Sequence, residues 1–171
     1  MSWAWLDQRP IVVAIAGSNG AGKTTFYHAH IASSGLRFVN ADQIARQLDI
    51  DAYAAASVAE SIRRELVKQR ESFAFETVFS DRVGDKINFL KDAASSGYQV
   101  VLCFIGIANT DLSLQRVAMR VTQGGHDVPS EKLNARFPRT LANLKQALAE
   151  LPHVFVFDNS DLARPFHRVA V

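Results

Sequence analysis

Apolar residues along this chain change their spacing in a regular way. Short runs of β-branched and aromatic residues alternate with longer stretches in which apolar side chains recur every three or four positions. The runs Ile11–Ala16, Leu36–Val39, Phe73–Phe79, Gln99–Ile105 and Val154–Phe157 predict five strands. Between them the spacing predicts helices over about 22–33, ended by Gly35, and over 52–70, where Val58, Ile62 and Leu66 lie four apart and the charged residues are expected to face outward. Asn40 opens a further helix as its N-cap, with Gln43 at the third position. Ser80 or Asp81 is expected to cap the next one, whose inner face is Val83, Ile87, Leu90 and Ala94 before Ser96-Gly97 stops it. A helix over about 111–123, a turn at Gly124-Gly125-His126-Asp127-Val128-Pro129 and a long helix to Glu150 follow; Leu133, Phe137, Leu141, Leu144 and Leu148 form the expected core face of the last.

Strands alternating with helices require right-handed crossovers and a parallel sheet covered on both faces. The expected fold is therefore α/β, a three-layer sandwich around a five-stranded parallel sheet. In such folds ligands gather beyond the carboxyl ends of the strands. The length of 171 residues and a 48% hydrophobic content suit a single domain over 1–171, with the helix-turn-helix of about 111–150 as a lid.

Composition narrows the partners. The net charge is only +2 and Lys and Arg form no long basic run, so no nucleic-acid partner is expected. The sole cysteine, Cys103, sits inside an apolar run, which excludes a disulfide framework within the chain and suits a reducing cytoplasm. No stretch approaches the length of a membrane span, and the leader, in which Trp3 and Trp5 have no evident partner, lacks the features of an export signal.

The chemistry concentrates after the first strand, at Gly17-Ser18-Asn19-Gly20-Ala21-Gly22-Lys23-Thr24, followed by Thr25. Glycines and small residues let a backbone curl so that its N–H groups face an anion; Lys23 adds a full charge, and Thr24 offers a hydroxyl to a Mg²⁺ bridging the phosphates of ATP. Strand before and helix after are the context this phosphate-binding loop needs.

Residues just past the other strands are the candidates to meet the γ-phosphate. Asp42 is either a carboxylate favoured by the helix start or a catalytic base; Asn40 and Gln43 can satisfy the cap, which leaves Asp42 for the second role. Glu76, in an apolar strand, is either paired with an arginine in the core or bound to substrate, with Thr77 and Arg82 near enough in sequence to share its pocket. Arg116 and Arg120 on one arm of the lid, and Arg136 and Arg139 on the other, are solvated side chains or guanidinium donors for the transferring phosphate; Arg120 and Arg136 are the preferred pair. His126 touches phosphate or shapes the turn. Asp158-Asn159-Ser160 edges a base or forms an ordinary turn. Strand four ends at Gly106-Ile107 without an Asp, which argues against a large mechanical NTPase and for a small-molecule kinase.

Taken together, residues 17–25, Phe-Val-Asn-Ala-Asp-Gln-Ile-Ala at 38–45, Phe-Glu-Thr at 75–77, the Arg120–Pro129 stretch with Gly-Gly-His-Asp-Val-Pro, the Arg-Phe-x-Arg stretch from 136 and Asp-Asn-Ser at 158–160 resemble the zeta-toxin-like P-loop kinases. The resemblance implies ATP-dependent phosphorylation of a sugar hydroxyl on a UDP-activated N-acetylhexosamine, and an antitoxin protein that blocks the nucleotide site. It implies that Lys23 holds phosphates, Asp42 is the base, Glu76 and Thr77 contact the acceptor and Arg120 grips the γ-phosphate, with Arg136, Arg139 or His126 as second lid residue. Two other readings stand beside it: a metabolic kinase for a nucleoside, a sugar or a shikimate-like acid, and an ATP-gated binding module whose partner surface includes Trp3 and Trp5.

Overall fold

Alternation within the strands sorts their side chains onto two faces, and each face gathers its own core. The computed structural model describes residues 4–122 and 128–170. In chain order these contain β1 (Ile11–Ala16), α1 (Lys23–Phe26, continued by a π-turn over Tyr27–Ile31 and a 3₁₀ turn over Ala32–Ser34), β2 (Arg37–Val39), α2 (Ala41–Leu48), α3 (Ala52–Lys68) and β3 (Phe73–Thr77). Then come α4 (Asp85–Ser95), β4 (Gln99–Gly106), α5 (Thr110–Thr122), α6 (Ser130–Glu150), β5 (Val154–Asp158) and β6 (His167–Ala170).

The sheet runs β2-β3-β1-β4-β5-β6, with the first five strands parallel and β6 antiparallel to β5. It therefore has six strands where five were expected. Val12, Ala14, Phe73, Phe75, Val100 and Leu102 face one core with side chains of α3, α4 and α6; Ile11, Val13, Ile15, Val101, Cys103 and Phe157 face the other with Phe26, Tyr27 and Ile31. All six residues of β1 are buried, as a strand covered on both sides demands. Trp5 is no free surface: its ring stacks on Phe155 at 5.7 Å. Among the described residues no helix is long and apolar enough to cross a membrane.

Several expectations need correction. β3 ends at Thr77, and α4 begins at Asp85 behind Gly84, so neither Ser80 nor Asp81 is its cap. The side chains of α6 explain this. Thr140 donates to the Val78 carbonyl, Asn143 to those of Phe79 and Asp81, and Arg139 to that of Ser80, so the backbone over 78–81 is held by α6 instead of starting a helix. A face that must supply donors cannot be all leucine. The buried positions of α6 are Leu133, Thr140 and Ala147, while Leu141 and Leu148 are 47% and 49% exposed. Val83, expected on the inner face of α4, precedes that helix and is also exposed. On α3 the buried stripe is Ala55, Ala59, Arg63 and Leu66, so one arginine points inward against the expectation that its charges all face solvent.

Candidate functional site

The parallel strands bring the loop after β1, the start of α2 and the end of β3 to one edge. Gly17 begins the loop at φ 148°, and a Cβ there would lie 2.3 Å from the carbonyl oxygen of Ile105 on β4, so only glycine lets β1 and β4 close on each other at this point. Gly22 adopts φ 93°, with the Asn159 amide nitrogen 2.7 Å from where a Cβ would stand. The Ala21 N–H donates to the Ser18 carbonyl, and the Phe26 N–H to that of Gly22. Neighbouring elements fasten the loop: Ser113 Oγ on α5 donates to the Asn19 carbonyl at 2.7 Å, and Asn159 Nδ2 beyond β5 donates to the Ala21 carbonyl at 2.8 Å. The amide of Asn159 is thus engaged by the loop, and Asp158 accepts from the N–H and hydroxyl of Ser160 as in ordinary turn chemistry.

Lys23 is buried, and its Nζ donates to the Ser18 carbonyl at 3.0 Å. Burial pushes its pKa below the usual lysine range, while the carboxylates of Glu76 and Asp42 pull it up and Arg120 pushes it down again. The other three groups therefore all act on Lys23. Glu76, paired in register with Ile15, reaches the loop from β3: its Oε2 accepts from Thr24 Oγ1 at 2.7 Å and from Asn40 Nδ2 at 3.0 Å, and its Oε1 lies 3.9 Å from Lys23 Nζ. The expected arginine partner of Glu76 is absent from these contacts. In its place are a lysine, a hydroxyl and an amide.

Asn40 has two tasks. Its Oδ1 accepts from the Gln43 N–H at 3.1 Å and so caps α2, while its Nδ2 holds Glu76. Asp42 follows two residues later in the first turn, exposed and free of the cap.

A cleft of about 370 Å³ joins these parts. Its lining includes Asn19, Gly20 and Lys23 of the loop, Asn40 and Asp42 of α2, Glu76 and Thr77 of β3, and Arg120 and Arg136 of α5 and α6. Ala52, Tyr53, Ala56, Ala59 and Arg63 of α3, with Lys86 and Lys132, complete the wall. Of the expected residues, Ser18, Ala21 and Gly22 belong to the loop beneath the cleft and Thr25 is exposed on α1. Arg82 is exposed and does not line the cleft. Arg139 donates to the Ser80 carbonyl, and Arg116 to that of Ser160. Gly124, Gly125 and His126 lie outside the described residues.

Sequence reasoning missed Ser113, the second arm of Asn40 and Arg63. The first two depend on contacts between residues far apart in sequence and leave no local signal. Arg63 does leave one, since it falls on the stripe of Ala55 and Ala59 at helical spacing.

For ATP and Mg²⁺, the donor set fits. A glycine-shaped cradle with a buried lysine suits phosphate, and the Thr24 hydroxyl beside the Glu76 carboxylate offers the hard oxygen donors that Mg²⁺ takes. Among the described residues no cluster of three or more His, Cys, Asp or Glu forms an all-protein metal cage.

Comparison with known proteins bears on the fold and the family. A Haemophilus influenzae protein of uncharacterised function is 28% identical over 141 residues, covering 78% of this chain and 96% of its own. A structure from the PezAT chromosomal toxin-antitoxin system of Streptococcus pneumoniae superposes with a TM-score of 0.71 at 17% identity, over 96% of this chain and 72% of that one. A gluconokinase from Sinorhizobium meliloti 1021 superposes with a TM-score of 0.57 at 19% identity, over 93% and 86% of the two chains. The fold is that of the P-loop kinases. The zeta toxin family model matches residues 5–169, and the chain accordingly belongs to the zeta toxin family.

Proposed function

We propose that the protein is an ATP-dependent small-molecule kinase that transfers the γ-phosphate to an alcohol. The observation that carries this reading is that Asp42 lines the same cleft as Lys23, Glu76 and the phosphate-binding loop, with Arg120 and Arg136 in the same lining. Phosphoryl transfer asks the protein mainly for positioning and charge stabilisation, and this cleft supplies both. The loop over 17–25 holds the phosphates, and Lys23 neutralises them. Asp42, exposed to the cleft, accepts the proton of the attacking hydroxyl. Arg120 and Arg136 stabilise the charge on the phosphoryl oxygens, carried there by the helical pair α5–α6 acting as a lid on one domain. Thr24 would hold Mg²⁺ together with the nucleotide and water, with Glu76 accepting from the same hydroxyl; the ion would neutralise charge between the phosphates. Thr77 and Glu76 border the acceptor.

Family membership supports a sugar hydroxyl, such as that of a UDP-activated N-acetylhexosamine, as the acceptor, and a small antitoxin protein as a partner in the cytoplasm. The test is mass spectrometry of a bacterial metabolite extract incubated with the protein, ATP and Mg²⁺. A new species heavier by one phosphate is expected with the wild type and not with Asp42→Asn. Consumption of ATP with no phosphorylated metabolite would overturn the reading.

A further inference from the structure

Lys23 and Arg63 are the two charged side chains buried among the described residues, with 6% and 5% of their surface exposed. Lys23 has a carbonyl and a carboxylate. Arg63 has neither: its guanidinium lies over the rings of Phe75, 4.9 Å from the centroid, and Phe89, at 5.9 Å, and among the described residues it makes no hydrogen bond or ion pair. The carboxylate of Glu60, one turn earlier, acts on it through space but is hydrogen-bonded to Arg64. Ring faces offset part of the cost of burying a cation, yet they accept from none of its N–H donors, which are left to whatever occupies the cleft. An anion in the cleft would satisfy those donors and offset the burial of the charge more fully than water does.

The little surface that Arg63 retains belongs to the wall of the cleft. That cleft is lopsided in charge. Lys23, Arg63, Lys86, Arg120, Lys132 and Arg136 line it against two carboxylates, Asp42 and Glu76. Nucleotide phosphates account for Lys23, for Arg120, which acts on it, and for Arg136 in the role proposed above, while Lys132 lies over the ring of Tyr53 and donates to its hydroxyl. Arg63 and Lys86 remain, on the part of the wall built by α3 and the first turn of α4. The neighbouring α3 residues Ala52, Ala56 and Ala59 leave room there for a ligand.

We propose that Arg63 receives an oxyanion, a carboxylate or phosphate, carried by the alcohol that the enzyme phosphorylates, with Lys86 adding charge at the same wall. The acceptor class is then an anionic alcohol, and Arg63 is a specificity-determining residue. This rests on the kinase reading for the acceptor's identity, but the anion site itself does not need turnover to be seen. A guanidinium suits the role because its planar fork matches a carboxylate or phosphate through two parallel hydrogen bonds, each assisted by charge.

The experiment has two arms. In the first, protein saturated with Mg²⁺ and a non-hydrolysable ATP analogue, so that the γ-phosphate position is filled, is titrated calorimetrically with inorganic phosphate and separately with glycerate. Wild-type protein is expected to bind at least one of them at a single site. Arg63→Met should weaken that binding about 10- to 100-fold, the size of a lost charge-assisted pair, with Arg63→Lys in between and analogue affinity unchanged in both. In the second arm, glycerol is compared with glycerol 3-phosphate, and glucose with gluconate, as acceptors. The charged member of each pair is expected to be favoured, and Arg63→Met should raise its KM while leaving kcat within a few-fold.

If the nucleotide-loaded wild type binds neither oxyanion, or if Arg63→Met binds as well as wild type, the proposal is wrong. Oxyanion binding lost in Arg63→Met with no alcohol ever phosphorylated would uphold the anion site and sink the kinase reading. Equal phosphorylation of neutral and charged alcohols would do the reverse.

Discussion

Replacing Glu76 by Gln removes one charge while keeping the shape of the side chain, and its amide oxygen can still accept from Thr24 Oγ1 and Asn40 Nδ2. What disappears is the attraction across 3.9 Å to Lys23 Nζ. At an effective dielectric constant of about 20 that attraction is worth about 4 kcal/mol, which corresponds to about 3 pH units as an upper bound. Asp42 still pulls in the same direction, and water reaching the cleft screens the pair. The expected shift is downward and smaller than that bound. Burial already lowers the pKa of Lys23, so the substitution moves it further down.

The sign of the effect selects the assay. Phosphate binding uses the ammonium form of Lys23, so nucleotide affinity should fall as pH rises through its pKa. That fall should begin at lower pH in Glu76→Gln than in wild type. Affinity at a single pH is a poor readout, because the lost carboxylate also repelled the phosphates. The midpoint of the alkaline loss, from titrations with a fluorescent ATP analogue between about pH 6 and 10.5, is free of that ambiguity. Identical midpoints in the two proteins would refute the coupling of Glu76 to Lys23.

Three further outcomes follow from individual contacts. Gly17→Ala places a Cβ 2.3 Å from the Ile105 carbonyl oxygen, so it should open the β1–β4 junction and lower both the melting temperature and nucleotide affinity, each by a clear margin. Thr140→Val leaves the Val78 carbonyl without the Oγ1 donor of α6 and should cost about 1–2 kcal/mol in denaturant titration; a change below 0.5 kcal/mol would show that α6 does not hold the backbone over 78–81 through that hydroxyl. Burial raises the pKa of the Cys103 thiol well above its ordinary value, so it should stay unreactive to a thiol reagent at pH 8 in the native protein and react fully once unfolded.

Legibility in the sequence tracked the range of the interactions. β1, the glycine loop and the Asn40 cap were readable because each is fixed by neighbours in the chain: a β-branched run, glycine conformations, and a side chain reaching its own backbone three residues on. The length of β3 was misread because its continuation is decided 60 residues away, where Thr140, Asn143 and Arg139 claim the carbonyls of residues 78–81. The same contacts explain the error on α6, where leucine spacing pointed to a face that the helix turns partly toward solvent. β6 was missed because a short edge strand of mostly exposed residues carries no hydrophobic alternation.

Within the site, the convergence of the loop, Asp42 and Glu76 was readable from topology alone, since parallel strands deliver their ends to one edge. The partners of Glu76 were not. A carboxylate in an apolar strand signals a need for compensation, but not whether an arginine, a lysine or a hydroxyl provides it. Arg63 was readable and overlooked. Charge was allowed to outweigh periodicity, although Ala55 and Ala59 place that position on the buried face.

The central claim is that a carboxylate on α2 and the anion cradle after β1 serve one reaction. Parallel measurement of ATP binding and of phosphate transfer from labelled ATP to metabolites, in wild type and Asp42→Asn, tests it most directly. The account predicts nucleotide affinity within about three-fold and transfer reduced by about 10²–10⁴. Transfer at the wild-type rate in Asp42→Asn would contradict it.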